Sequence, residues 1–168
     1  GTTGAAKGVM MTHSQVLQTA QQLAAALQGG QALSQQSVYV HAAPMFHMAD
    51  GAMCFTTAVV ACANSFMTRF DVTAFVAHAS RHGVSFVTLV PTMIKTLCDH
   101  LRAQQLTLPS LRGILYGGAP MPRPTLDLAM ATLPGVRLFQ GYGSTEALII
   151  SMLPPEFHAL DEAHRAVL

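Results

Sequence analysis

Charge is scarce in this chain: only 10% of its 168 residues are Asp, Glu, Lys or Arg, and the formal net charge is +1. A nucleic-acid binder needs a basic face and a polyelectrolyte tail needs a run of like charge, so both classes are excluded. Cysteine is scarce as well. Cys54, Cys62 and Cys98 are odd in number and form no CxxC, which points to reduced thiols and a cytoplasmic location rather than a disulfide framework. The eight histidines are scattered without metal-ligand spacing. Internal repeats, low-complexity tracts and linkers are absent.

Apolar residues make up 51% of the chain, a high share for one domain of this size, which implies surface that further chain covers. Residues 51–68 carry no charge and approach the length of a membrane helix. Thr56, Thr57, Asn64 and Ser65 interrupt that stretch, so a buried helix running into a buried strand is expected, with no transmembrane segment.

Helices and strands alternate about five times along the chain. Thr12 and Gln15 have capping-box spacing, predicting a helix from about Ser14. Its inner face is Val16, Leu17, Ala20, Leu23, Ala24 and Leu27, and Gly29–Gly30 ends it. Strands are predicted over 37–43, 64–70, 85–90, 111–116 and 136–140. Helices are predicted over 51–61, from Asp71 to Gly83, from Pro91, and over 123–133. The segment PMFHMADG reads as a loop, as does GYGSTE, and 147–153 is apolar without an assigned element. Short connections favour an α/β fold with a mainly parallel sheet covered by helices on both faces. Ligands of such sheets bind beyond the strand carboxyl ends, here the loops after 43, 116 and 140.

Three motifs fall in or beside those loops. GTTGAAKGVMMTH, residues 1–13, offers glycine amides, the hydroxyls of Thr2 and Thr3, and the charge of Lys7, the donors a polyphosphate needs. A flexible loop with a solvated lysine is the alternative, and Lys7-Gly8 departs from the P-loop order. YGGAPMP spans residues 116–122, and QGYGSTEA spans 140–147. Together, and in this order, the three resemble the nucleotide-binding part of the adenylate-forming superfamily, which includes acyl- and aryl-CoA ligases, luciferases and the adenylation domains of peptide synthetases. The likeness spans nearly all 168 residues.

The resemblance implies ATP, Mg²⁺ and CoA as cofactors and a small carboxylic acid as substrate. Thr2, Thr3, Gly4 and Lys7 would hold phosphates, and Lys7, His47, Thr145 and Glu146 would be the catalytic residues. Gly118, Ala119 and Pro120 would line the adenine pocket, with Gln140 and Gly141 beside them. Tyr142 would stack on adenine with Gly143 leaving it room, Thr145 would touch the α-phosphate, and Glu146 would hold Mg²⁺. His47, with Met48 and Gly51, would border the acid, and Arg69 would meet CoA phosphates. Histidine after Phe46 favours an acid without an α-amine; Asp50 lies three residues on. His13, His78, His82, His100, His158 and His164 read as surface or helix-end residues.

Gly1 falls inside the phosphate motif, Ala6 stands where the family usually has proline, and the chain stops before the family's ribose-binding Asp segment. Residues 1–168 are therefore expected to be a single AMP-binding subdomain fragment, without the N-terminal subdomain or the lysine-bearing C-terminal domain. The expected reaction is ATP-dependent activation of a fatty or aryl acid to an acyl-adenylate, then thioester formation with CoA. The fragment alone is expected to be poorly active, and a homodimer is a further expectation. The alternatives are an amino-acid adenylation domain and a non-catalytic nucleotide-binding or assembly module.

Overall fold

Helix α1 (His13–Gly29) opens the computed structural model, which describes residues 8–158. Thr12 caps it through both arms of a capping box. Its hydroxyl accepts from the Gln15 amide at 3.2 Å, and its own amide donates to Gln15 Oε1 at 2.8 Å. The buried stripe is Ala20, Leu23, Ala24 and Leu27. Leu17, expected on that face, is exposed, because the packed contact starts a turn later.

Six strands form one sheet: β1 (Val38–His41), β2 (Ala63–Phe66), β3 (Phe86–Leu89), β4 (Gly113–Gly117), β5 (Arg137–Ser144) and β6 (Leu148–Leu153). Their spatial order is β2-β1-β3-β4-β5-β6. All pairings are parallel except β5 with β6. The connecting helices are α2 (Met48–Val60), α3 (Val72–His82), α4 (Pro91–Gln104) and α5 (Arg123–Thr132). α1 and α2 cover one face over Tyr39, Phe86, Leu115 and Phe139. The other three helices cover the opposite face over Val40, Val87, Ile114 and Leu138. The expected α/β architecture, a mainly parallel sheet between two helical layers, is the one observed. α4 shows how its helices are held: Pro91 starts it, but Ile94, Leu97 and Leu101 are fully buried, each contributing roughly 1.5–3 kcal/mol.

Three of the expected elements change. The GYGSTE segment is not a loop: Gly141 to Ser144 continue β5, because β6 pairs with them as an antiparallel hairpin. α2 begins at Met48, three residues before Gly51, because Asp50 is drawn into the core by partners on β1. β2 ends at Phe66 rather than 70 and is largely exposed, since it is an edge strand paired only with β1. The sheet order reverses at β1, whose chain leaves through α2 to one side and returns through α3 to β3 on the other. The crevice between the diverging connections of β1 and β3 is the place where such sheets hold ligands.

His158, expected at the surface, is 5% exposed and closes the described chain against β4. Its Nδ1–H donates to the Pro154 carbonyl at 3.0 Å, leaving Nε2 to accept from the Tyr116 hydroxyl at 2.8 Å. Burial lowers the His158 pKa and raises that of Tyr116 to about 12. His78, also expected at the surface, is half-buried, and desolvation lowers its pKa too. A histidine whose folded pKa is depressed stabilises the fold fully above its unfolded value of about 6.5, and that stability is lost as pH falls toward the folded value. The urea midpoint should therefore be lower at about pH 5 than at about pH 7.5. His158→Gln should shrink the difference, with His78 retaining part of it.

Candidate active site

Beyond the carboxyl ends of β3, β4 and β5 lies a cavity of about 270 Å³. One wall is the first turn of α2, with His47, Met48 and Ala49. The facing wall is the hairpin, from Gly141 to Thr145 with Leu148 and Ile149. Thr88, Leu115 and Leu23 form the apolar floor with one hydroxyl, and Gly117 and Gly118 close the gap between the walls.

Glycine is required at two of these positions. A Cβ on Gly117 would stand 2.3 Å from the Gly141 carbonyl oxygen, and one on Gly143 only 1.9 Å from that of Leu148. Side chains at either place would force the β4–β5 seam or the hairpin apart. The hairpin register shifts between Tyr142 and Gly143, and Ser144 Oγ accepts from the Ala147 amide at 3.2 Å across the turn. The bulge re-aims the residues that follow it. Tyr142 is left 64% exposed at the rim, a flat apolar face open to a stacking partner.

Of the residues singled out from sequence, the fold brings His47, Met48, Gly118, Gly141, Tyr142, Gly143 and Thr145 to this one cavity. Ala119 and Pro120 lie just past it and are exposed, and Glu146 is exposed in the hairpin turn. Gln140 is half-buried, its Oε1 3.4 Å from the Tyr116 hydroxyl. Gly51 is inside α2, where a Cβ would sit 2.7 Å from the Met45 carbonyl; it lets the turn before α2 press against the helix. Arg69 is exposed after β2, at the sheet edge opposite the hairpin. Thr2, Thr3, Gly4 and Lys7 lie outside the described residues. Sequence reasoning passed over Thr88, Leu115, Ser144 and Ile149, whose places follow from strand ends and the hairpin rather than from a motif.

Asp50 lies directly behind the His47 wall and has no exposed surface. The Tyr39 hydroxyl donates to its Oδ1, and His41 Nδ1 faces its Oδ2 at 3.1 Å. With its one proton so committed, Tyr39 receives the proton of Thr88 Oγ1 across 2.9 Å. Burial, and then the Asp50 charge, raise the Tyr39 pKa well above the ordinary phenol value, so the ring stays a neutral donor.

The cavity thus offers hydroxyls, glycine amides, one imidazole and one exposed ring. Such a set can bind and orient an anion and a flat ring. Among the described residues no group of three or more His, Cys, Asp or Glu could hold a metal by itself. Glu146, exposed in the hairpin turn, is a carboxylate of the kind Mg²⁺ takes together with phosphate oxygens and water. No helix among the described residues is long and apolar enough to cross a membrane. Gly143→Ala should leave the core folded by circular dichroism while speeding amide exchange along β5 and β6, because the hairpin wall cannot close.

A family model described as AMP-binding enzyme matches residues 1–166. The 4-coumarate–CoA ligase 1 of Oryza sativa subsp. japonica is 36% identical over 148 residues, covering 88% of this chain and 26% of the relative. The long-chain-fatty-acid–CoA ligase of Thermus thermophilus is 31% identical over 172 residues, covering 100% and 31%. Among solved structures, O-succinylbenzoate coenzyme A synthetase from Bacillus subtilis, in complex with ATP and magnesium ion, superposes with a TM-score of 0.79 at 32% identity, over 94% of this chain and 31% of that one. The chain spans 26% and 31% of the length of the two curated relatives it matches here.

Proposed function

The chain belongs to the AMP-binding enzyme family, and from that premise we propose that its cavity joins ATP to a carboxylic acid as an acyl-adenylate, which CoA then converts to a thioester. The observation that carries this reading is the placement of Tyr142 and Thr145 across one cavity from His47. Nucleotide and acid would meet between those walls.

The acid is already ionised near neutral pH, with a pKa of about 4–5 by analogy with Asp and Glu. One carboxylate oxygen attacks the α-phosphorus, and the bond from that phosphorus to pyrophosphate breaks. The CoA thiol, losing its proton, then attacks the acyl carbonyl, and AMP leaves. No covalent enzyme intermediate is needed, so the protein's contribution is positioning and charge stabilisation. Tyr142 stacks on adenine between Gly141 and Gly143, with Gly118, Ala119, Pro120 and Gln140 around it. Thr145 donates to the α-phosphate. Thr2, Thr3, Gly4 and Lys7 hold the outer phosphates. Glu146 would hold Mg²⁺, which offsets triphosphate charge when bound. His47 and Met48 wall the acid, Gly51 seats the turn that carries them, and Arg69 is assigned to CoA phosphates.

The acid is a fatty or aryl one without an α-amine. An acidic residue near this position would anchor the amine of an amino acid, but Asp50 is fully buried and spends both oxygens on Tyr39 and His41. Leu23, Ala52, Leu115 and Ile149 give the cavity apolar walls for the rest of the acid. Residues 1–168 are read as one AMP-binding part of an enzyme of its relatives' kind, of whose length the chain spans 26% and 31%.

Calorimetric titration of ATP with Mg²⁺ tests the reading. Lys7→Ala and Glu146→Ala should each remove a charge-assisted contact of about 1.5–3 kcal/mol and weaken binding roughly ten- to hundred-fold. A folded wild-type chain that binds no ATP would overturn it. Binding without any acid-dependent pyrophosphate exchange, even in the longer enzyme, would favour a non-catalytic module. The chain by itself should synthesise acyl-CoA far more slowly than its full-length relatives; a normal steady-state rate would contradict the division of labour proposed here.

A further inference from the structure

A carboxylate without exposed surface has to be held by donors, and Asp50 is held by β1 rather than by anything in the cavity. The contacts continue at both ends. Tyr39 reaches Thr88 of β3, which lines the cavity. His41 Nε2 faces Asn64 Oδ1 of β2 at 3.0 Å, while Asn64 Nδ2 donates to the Cys62 carbonyl at 3.3 Å and so fixes the amide's orientation. The His41 ring is stacked on Phe66, with centroids 4.8 Å apart and planes 9° from parallel. One line of polar side chains therefore ties three strands to α2.

Asp50 is also the third residue of α2. Its amide and that of Gly51 donate to the His47 carbonyl at 3.1 and 2.8 Å, and the His47 amide donates to the Pro44 carbonyl at 2.9 Å. His47 makes no side-chain cap bond of its own. The turn that presents its imidazole is set through its backbone, and that backbone is pinned to the sheet by the Asp50 carboxylate. The negative charge in the first turn suits the helix dipole as well.

We infer that Asp50 is a positioning residue: anchored to β1 by Tyr39 and His41, it sets the first turn of α2 and through it the place of His47 and Met48 at the cavity wall. In functional terms it would govern the acid's side of the site and not the nucleotide's, a consequence that rests on the reading above. The placement itself does not.

Histidine ring signals of the ligand-free chain, read by carbon–proton correlation NMR, test the placement without any ligand. In Asp50→Asn the His47 signal should move while those of His13 and His82 stay. An unmoved His47 signal overturns the inference; should that variant not fold, Tyr39→Phe, which removes one hydroxyl with little change in volume, decides in the same way. Calorimetry with 4-coumarate, dodecanoate and ATP tests the consequence. Asp50→Asn should weaken acid binding about tenfold and ATP binding by less than about twofold. In a His47→Ala background the same change should cost markedly less, only the part that passes through Met48 remaining. Equal losses of acid binding in both backgrounds overturn the positioning role. If the wild-type chain binds neither acid, the functional reading falls and the ring signals alone decide the inference.

Discussion

A parallel strand can be followed by another only after the chain has travelled back to the starting end, so each of β1 to β4 hands over to a helix, and the helices take both faces of the sheet. Polar chemistry is thereby pushed to the strand ends. At one place along the sheet, between β1 and β3, successive connections part to opposite sides, and a crevice opens. The first turn of α2 borders that crevice because the β1 connection turns away there. The hairpin faces it because β5 runs on past its neighbours and is held out by β6. Everything in the candidate site is a tenant of that one geometric constraint.

The wall that carries His47 shows a second arrangement. A carboxylate, a phenol and an imidazole sit beside a largely apolar core that includes Met53, Val60 and Phe86. Burying a charge of this kind costs several kcal/mol unless its partners are well placed, and a well-packed apolar substitute can be equally stable. What an apolar substitute lacks is direction. Each of the Asp50 oxygens accepts one defined partner, which directs the first turn of α2 toward Tyr39 and His41 where an apolar side chain would only fill space.

Local signals in the sequence were sufficient for much of this fold. The Thr12–Gln15 box, the uninterrupted SFVTLV run, and the Asp71 and Gly83 ends of α3 each have a cause within a few residues. The misread elements have distant causes. Gly141 and Gly143 disfavour strand on either side of Tyr142, and the segment becomes strand because β6, further along, pairs with it. Met48–Ala49–Asp50–Gly51 reads as a loop because Asp and Gly disfavour helix interiors, and only Tyr39 and His41 explain why Asp50 is inside. His158 is buried by Tyr116, which lies 42 residues earlier. The same division runs through the cavity lining. Gly118, Tyr142 and Thr145 stand out by residue type, whereas Thr88, Leu115 and Ile149 are ordinary residues that matter by address.

The hairpin joined to the end of a parallel core mixes two kinds of contact. The core strands meet across long crossovers, a pattern associated with slow assembly, while β5 and β6 are joined by a short turn, and such hairpins close in microseconds. β6 has a neighbour on one side only and leaves Ile150 in solvent. Met152, on the same strand, packs against the core behind it, so β6 is fastened on its inner face and bare on its outer one. The cavity wall beside Tyr142 is thus held to the core through one seam, so a change that weakens the β5–β6 ladder alters the cavity rim before it reaches the layers behind.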